Sequence, residues 1–190
     1  MSRTQSTMVG LGTIAPPFEL PDVVTGKAVG RDDVTEGRKG LLVMFLCPHC
    51  PYVKHVEAEL ARIGRDYCDR IGIVAISSND IVAYPDDSPE EMRKQAERLG
   101  FTFPYLYDET QEVAREYDAA CTPDLFLFDA DMKLVYRGQL DDSRPRRKDF
   151  GNELPVTGKD LRAAIDAVLT GKRPDPNQTF GVGCNIKWKE

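Results

Sequence analysis

The chain has 190 residues, of which 41% are hydrophobic and 29% are charged. This balance is typical of one globular domain and excludes a fibrous or disordered chain. The formal net charge of −6 gives no overall positive field that would attract nucleic acid or an anionic membrane, so we expect neither as a partner.

The sequence also bears on the cellular compartment. The first residues lack the apolar stretch of a secretory signal, and no apolar run is long enough to span a bilayer. Five cysteines are an odd number in a chain that is too long to need disulfide staples. We therefore expect a cytoplasmic protein without a structural disulfide framework, in which a cysteine pair that oxidises does so as part of its chemistry.

The first half of the chain predicts alternating strands and helices. Leu41–Cys47 is a continuous apolar run of strand length, as expected for a strand buried on both faces of a sheet, and Ile71–Asn79 predicts a second buried strand. Between them, apolar residues recur at helical spacing from Tyr52 onward, which predicts an amphipathic helix. Its polar face carries His55 and Glu59, and we expect His55 to face solvent.

A further helix is predicted between Ser88 and Gly100. Ser88 is the expected cap, Pro89 fits the first turn, Glu91 completes a capping box and Gly100 ends the helix. The segment therefore continues the order of strand, helix, strand and helix.

The second half of the chain predicts a helix and then a hairpin. After a short segment at 105–107, the pattern favours a helix over Thr110–Tyr117. Two strand-forming runs then flank a tight turn at Asp129–Asp131, which is typical of an antiparallel hairpin.

The remaining residues predict a loop, a helix and a tail. Asp141–Pro155 lacks apolar periodicity, and its basic segment Arg144–Lys148 is expected to be solvated. Thr157–Gly171 predicts a closing amphipathic helix. We expect a single domain over residues 1–190, in which 172–190 form a C-terminal tail.

The segment Cys47-Pro48-His49-Cys50 lies between the first buried strand and the first long helix. If Cys47 is near the helix cap, both prolines remove N–H groups that have no acceptor, and the amides of His49 and Cys50 can point at the Cys47 sulfur. These donors and the helix dipole would favour the thiolate. We therefore predict Cys47 as the nucleophile and Cys50 as the resolving thiol.

Two further interpretations concern this segment, and one concerns Cys68. Pro48 and His49 are expected to tune the dithiol, with His49 lowering the pKa of Cys47, although His49 could be merely exposed. A C-x-x-C pair is also half of a zinc site, but the other cysteines are scattered singly and the chain has two histidines, so we expect no metal. We expect Cys68 to be an inert thiol.

The order of elements resembles the thioredoxin fold, an α/β three-layer sandwich with a central mixed sheet flanked by helices, here with an N-terminal β extension. "GTIAPPFELPD" at Gly12–Asp22, "CPHCPYVKH", "LDDSRP" and "GCNIKWK" resemble the peroxiredoxin-like group of the alkyl hydroperoxide reductase/thiol-specific antioxidant branch. The resemblance implies that Pro123 forms a cis bond and that Thr122 and Pro123 position the substrate beside the dithiol. The alternative is a trans proline that opens a strand.

Departures from the family pattern shape the functional hypothesis. Gly40 and Met44 occupy the positions of a proline and a threonine that assist peroxide binding in peroxiredoxins, and Leu41 replaces a buried acid of thioredoxin. Efficient peroxide reduction is therefore not expected, and another base or water would have to accept the proton of the resolving thiol. Cys121 is expected to be a small buried residue, and Cys184 is a candidate accessory redox thiol.

The sequence therefore favours a thiol-disulfide oxidoreductase that exchanges electrons through Cys47 and Cys50 without a cofactor. The first alternative is a peroxiredoxin-like peroxidase in which Cys47 is oxidised to a sulfenic acid and condenses with Cys50 or Cys184. The second is a binding protein whose affinity depends on the redox state. Expected partners are protein or small-molecule disulfides and dithiols, with peroxides under the first alternative, for a monomer or homodimer.

Overall fold

A five-stranded mixed sheet forms the centre of the protein in a computed structural model that describes residues 3–146 and 151–190. The described strands are β1 (Arg3–Gln5), β2 (Glu19–Pro21), β3 (Ala28–Gly30), β4 (Gly40–Phe45), β5 (Gly72–Ser77), β6 (Tyr105–Tyr107), β7 (Cys121–Thr122), β8 (Asp124–Asp129), β9 (Leu134–Tyr136) and β10 (Val182–Asn185). The described helices are α1 (Arg31–Thr35), α2 (Pro51–Tyr67), a 3-10 helix (Pro85–Asp87), α3 (Pro89–Leu99), α4 (Glu112–Glu116) and α5 (Lys159–Leu169).

The central sheet has the strand order β6-β5-β4-β8-β9. Strands β4, β5 and β6 are parallel, whereas β8 and β9 run antiparallel. Every residue of β4 and β5 is buried, as expected for two strands in the interior of the sheet. Because β4 lies in the middle of the sheet, Cys47, which follows its carboxyl end, lies at the central edge of the sheet.

Helices cover both faces of this sheet. On one face, Leu42 and Met44 belong to a core shared with Leu60 of α2 and Ile165 of α5. The other face packs Val43 and Phe45 of β4 and Phe126 of β8 against Val113 of α4 and Tyr117. The three-layer α/β sandwich with a mixed sheet is therefore confirmed.

Two smaller sheets complete the fold. The β2–β3 hairpin belongs to the N-terminal extension, and a three-stranded sheet has the order β1-β10-β7. The tail of residues 172–190 thus contributes a strand, β10, which the sequence did not predict. This strand lies antiparallel to β7, next to the end of β4 that carries the dithiol.

The predicted elements are present with changed boundaries. The helix expected at Thr110–Tyr117 is α4, and the expected hairpin is β8–β9. Gly100 ends α3 with a φ of +63°, but Ser88 makes no side-chain capping bond, so the capping box was wrong. No helix or strand occurs in 141–146 or 151–155, and Arg147 and Lys148 lie outside the described residues.

The polar face of α2 is less exposed than expected. Glu59 is buried and pairs with Arg162 Nε at 2.7 Å, since α5 packs beside α2. His55 is half-buried rather than solvent-facing, with its Nε2 atom 3.1 Å from Ser143 Oγ. Within the two described ranges, no helix has the length and apolarity needed to cross a membrane.

Candidate active site

The dithiol segment lies between β4 and α2, but the helix begins later than predicted. Helix α2 starts at Pro51, and Cys50 rather than Cys47 is its N-cap residue. The reason is local, because a proline disfavours the helical conformation of the residue before it, and Cys50 is accordingly extended with φ −64° and ψ 123°. The His49 amide, which was expected to point at the Cys47 sulfur, donates instead to Asp87 Oδ1, so this part of the prediction was wrong.

The two cysteine side chains are buried and contact each other. Both residues are 0% exposed, and the Cys47 thiol donates a hydrogen bond to the Cys50 sulfur. Thr122 lies against both sulfurs, with its Oγ1 atom 3.3 Å from Cys47 Sγ and its carbonyl oxygen 3.1 Å from Cys50 Sγ. The strand-to-helix connection and β7 therefore bring Cys47, Cys50 and Thr122 into one cluster.

The electrostatic environment reverses the expected order of ionisation. The hydrogen bond with Cys50, burial and the negative charge of Asp87 raise the pKa of Cys47. Hydrogen bonds from Cys184 and Cys47, aided by the backbone N–H of Val53, lower the pKa of Cys50 in spite of its burial. Two adjacent thiolates repel each other, so the pair loses its protons in two steps, and the first thiolate forms at Cys50.

One contact acts against this order. The Thr122 carbonyl oxygen can only accept a hydrogen bond, so its contact with Cys50 Sγ favours the protonated thiol. Because the thiols of Cys184 and Cys47 and the amide of Val53 all donate to the Cys50 sulfur, the ionised form receives more hydrogen bonds than the protonated form makes. The net effect is that the pKa of Cys50 lies well below its usual value.

A buried carboxylate holds His49, and the sequence did not indicate it. Asp87 is 0% exposed and accepts hydrogen bonds from the His49 backbone N–H at 3.0 Å, from the His49 ring at Nδ1 and from Asn79 Nδ2 at 2.8 Å. The His49 ring also stacks on Tyr84, with 5.9 Å between the ring centroids. Its N–H group is thus committed to Asp87, and Nδ1 lies 4.0 Å from Cys47 Sγ.

Asp87 also changes the prediction about a buried acid. Leu41 is an apolar core residue, as expected, but the segment before α3 places the Asp87 carboxylate beside the dithiol. Its charge raises the pKa of Cys47, which opposes the lowering expected from His49. Asp87 lies 38 residues beyond His49, so sequence spacing gives no signal for the contact.

Three side chains of the site could offer ligand atoms to a metal ion. The ligand atoms of Cys47, His49 and Asp87 all lie within 4.8 Å of one another. The sequence argument against zinc counted cysteines and histidines and overlooked this carboxylate. Because His49 Nδ1 donates its proton to Asp87, a metal bound at that nitrogen would have to replace this hydrogen bond.

The Thr122–Pro123 peptide bond is cis, as the resemblance implies. The backbone of Thr122, however, is already paired, because it lies opposite Cys184 of β10. Cys184 is 2% exposed and lies within hydrogen-bonding reach of the Cys50 sulfur. The edge expected to receive a substrate segment is therefore occupied by the tail of the same chain.

The other two cysteines lie apart from this contact. Cys121 is buried on β7, its thiol donates to the Pro123 carbonyl oxygen at 3.5 Å, and burial raises its pKa. Cys68 is half-buried at the C-cap of α2. All five cysteines lie in the described ranges and are reduced in the structure.

Comparisons with known proteins give close relatives over the whole chain. A conserved protein of uncharacterised function from Geobacillus kaustophilus is 54% identical, with a TM-score of 0.94 over 100% of this chain and 97% of its own. A hypothetical protein from Sinorhizobium meliloti is 44% identical, with a TM-score of 0.92 over 98% of each chain.

A relative of named activity and a family model also match this chain. The thiol-disulfide oxidoreductase ResA from Geobacillus thermodenitrificans is 31% identical over 134 residues, which is 69% of this chain and 70% of the relative. The model of the AhpC/TSA family matches residues 11–137, a span that includes Cys47, Cys50, Asp87 and the cis-proline. The chain belongs to the AhpC/TSA family.

Proposed function

We propose that this protein is a thiol-disulfide oxidoreductase whose redox centre is the Cys47–Cys50 pair. The observation that carries the proposal is the hydrogen bond between the two sulfurs at the start of α2, beside the cis Thr122–Pro123 bond. Two sulfurs in contact can be joined by a disulfide with little movement of the backbone. Membership of the AhpC/TSA family and the ResA relative support the same chemistry.

The exchange proceeds in two steps. A thiolate of the pair attacks one sulfur of a partner disulfide, which forms a mixed disulfide and releases the other partner sulfur as a thiolate. The second cysteine then loses its proton and attacks the mixed disulfide, so that the Cys47–Cys50 disulfide forms and the partner leaves as a dithiol. The pair is oxidised by two electrons, and the partner disulfide is reduced by the same two.

The environment of the pair bears on which sulfur attacks first. The sequence predicts Cys47 as the nucleophile, whereas the first thiolate forms at Cys50. A thiolate attacks and a thiol does not, so the distribution of charge makes Cys50 the competing nucleophile in the reduced protein. Experiment can distinguish Cys47 from Cys50 as the nucleophile, because a mixed disulfide persists only on the attacking cysteine when the other cysteine is removed.

The peroxidase alternative has less support from the site. Gly40 and Met44 are buried within β4, so neither offers a side chain to peroxide at the sulfur. The nearest side-chain oxygen to Cys47 Sγ for which a contact is described is Thr122 Oγ1 at 3.3 Å. The third hypothesis, a redox-dependent binding protein, uses the same dithiol without turnover.

The deciding experiment measures the reduction of a model disulfide and traps the partner as a mixed disulfide. We expect the wild-type protein to reduce a model disulfide such as insulin, with activity lost in both Cys47→Ser and Cys50→Ser and retained in Cys68→Ser, which serves as the control. Each single variant is also incubated with oxidised protein substrates, and the one that retains a mixed disulfide identifies the nucleophile.

Other outcomes would favour the alternatives. Rapid peroxide consumption in stopped-flow measurements that depends on Cys47 and not on Cys50 would favour the peroxidase. Slow exchange with every dithiol and peroxide, together with a partner bound in one redox state, would favour the binding protein. Protein disulfides are the proposed substrate class, and a cytoplasmic location and a monomeric or homodimeric state stay predictions.

A further inference from the structure

We propose that Cys184 is a third redox thiol, which attacks Cys50 in the Cys47–Cys50 disulfide and thereby carries the disulfide to Cys50–Cys184. This inference rests on the proposed function, because the first disulfide must form before it can be exchanged. The strand β10 then behaves as a substrate segment that is built into the chain.

The first argument is the position of β10. A substrate segment bound beside the cis-proline would pair with the backbone of Thr122, since strand addition uses an open backbone edge. Here that backbone pairs antiparallel with β10, and the residue opposite Thr122 is Cys184. The tail therefore presents a sulfur at the point where a bound substrate would present its own.

The second argument is the contact between the sulfurs. The Cys184 thiol donates a hydrogen bond to Cys50, and Cys184 is 2% exposed. Cys50 also accepts a hydrogen bond from Cys47. Cys50 therefore has a second cysteine on each of two contacts and can form a disulfide with either one.

The third argument is the close approach of the two backbones. A Cβ atom on Gly183 would lie 2.1 Å from the Thr122 carbonyl oxygen and 2.5 Å from its carbon. These are backbone atoms that cannot rotate away, so a side chain at this position would push β10 off β7. Glycine at residue 183 therefore permits the approach that brings Cys184 to Cys50.

The fourth argument is that the tail is anchored on both sides of Cys184. The Lys187 backbone N–H donates to Asn79 Oδ1 at 2.8 Å, and the Lys187 carbonyl accepts from Gln111 Nε2 at 2.8 Å. On the other side, β1 pairs with β10 in register Arg3 to Cys184. Since Asn79 also donates to Asp87, the anchor of the tail and the support of His49 share one side chain.

The exchange step is balanced without an external oxidant. The Cys184 sulfur bonds to Cys50 Sγ, the Cys47–Cys50 bond breaks, and its electron pair leaves on Cys47. The proton lost by Cys184 is taken up at Cys47, where burial and the charge of Asp87 raise the thiol pKa and so favour the protonated form. One disulfide replaces another, and no net oxidation occurs.

The test uses the full chain with Cys47→Ser, in which Cys50 and Cys184 remain. After oxidation with glutathione disulfide, acid quenching, alkylation and trypsin digestion, a Cys50–Cys184 bond links the peptides 40–54 and 173–187. Because Cys50 is then the only cysteine of its peptide, mass spectrometry assigns the bond without ambiguity. We expect this linked peptide at a yield at least tenfold above any link from Cys50 to Cys68.

Matched variants test whether the Cys50–Cys184 bond forms because β10 places Cys184 next to Cys50. In the Cys47→Ser background, Cys121→Ser should leave the linked peptide unchanged, since Cys121 is a buried cysteine on the neighbouring strand that contacts Pro123 instead. Gly183→Ala in that background should reduce the yield at least tenfold by displacing β10. In oxidised wild-type protein, alkylated Cys47 should accompany the same linked peptide.

Contrary outcomes distinguish the two proposals. If Cys47→Ser ends with glutathione on Cys50 and a fully alkylated Cys184, the third redox thiol is refuted while the proposed function stands. If neither the wild-type protein nor Cys184→Ser forms a Cys47–Cys50 disulfide, the proposed function itself is wrong. A Cys47–Cys50 disulfide in Cys184→Ser, together with the Cys50–Cys184 linked peptide in oxidised wild-type protein, supports both.

Discussion

Asp87→Asn is the substitution that most directly tests the hydrogen-bond network beside the dithiol. The carboxylate accepts three hydrogen bonds, two from His49 and one from Asn79, in a position with no solvent exposure. Asparagine has almost the same shape, but its NH₂ group cannot accept from a donor. One hydrogen bond to a charged acceptor is therefore lost and one buried donor is left unsatisfied.

The expected cost follows from these two losses. A hydrogen bond to a charged group contributes about 1.5–3 kcal/mol, and a buried donor left without an acceptor costs about 1–3 kcal/mol. Since asparagine relaxes part of the conflict, we expect a net loss of about 3 kcal/mol in the free energy of unfolding. For a chain of this length that corresponds to a decrease of roughly 6–12 °C in Tm.

The measurement is urea unfolding under reducing conditions, with Asp86→Asn as the matched control because Asp86 is the exposed neighbour. Removal of the negative charge should also lower the pKa of Cys47, since Asp87 is one of the groups that raise it. Ultraviolet absorbance of the thiolate in a Cys50→Ser background follows that change. Equal stability of the two asparagine variants would refute the argument.

Two further predictions concern buried carboxylates elsewhere. Burial raises the pKa of Asp124 to about 6, so the folded state holds this proton more tightly than the unfolded chain does. The contribution of this proton to the free energy of unfolding is complete below the unfolded pKa of about 4, and it is lost as the pH rises to about 6. Asp124→Asn keeps an acceptor for the Ala120 N–H. It should therefore raise the free energy of unfolding by up to about 3 kcal/mol at pH 7 and by little at pH 4. An equal effect at both pH values in urea unfolding would contradict this prediction. Arg162→Ala should cost about 3 kcal/mol because it removes a main partner of buried Glu59, whereas Arg62→Ala, at a side chain 58% exposed, should cost below about 1 kcal/mol. Similar losses in the two arginine variants by thermal unfolding would show that burial does not distinguish the pairs.

The sequence predicts the central sheet well because its strands carry their own signal. Leu41–Cys47 is apolar throughout and Ile71–Ile76 has no polar side chain, and these runs supply most of β4 and β5, in which every residue is buried. The start of α2 was misplaced although a local rule was available. Pro51 restricts Cys50 to the extended region, and this rule alone would have moved the N-cap from Cys47 to Cys50.

Other features of the site depend on contacts that no local pattern encodes. Strand β10 contains Gly183 and Asn185, which are poor strand formers, and it forms because β1 and β7 pair with it on both sides. Asp87 reaches His49 because β4 and β5 are parallel neighbours, so that the segments following their carboxyl ends meet. The burial of Glu59 likewise depends on Arg162, which lies 103 residues away.

The dependence of the dithiol on β10 has a consequence for synthesis of the protein. Cys184 follows Cys50 by 134 residues, so at about 5–20 residues per second the ribosome adds Cys184 roughly 7 to 27 seconds after Cys50. During that interval the nascent chain contains both cysteines of the pair without the strand that covers them. A small disulfide in the surrounding solution therefore reaches these sulfurs more easily on the ribosome than in the finished protein.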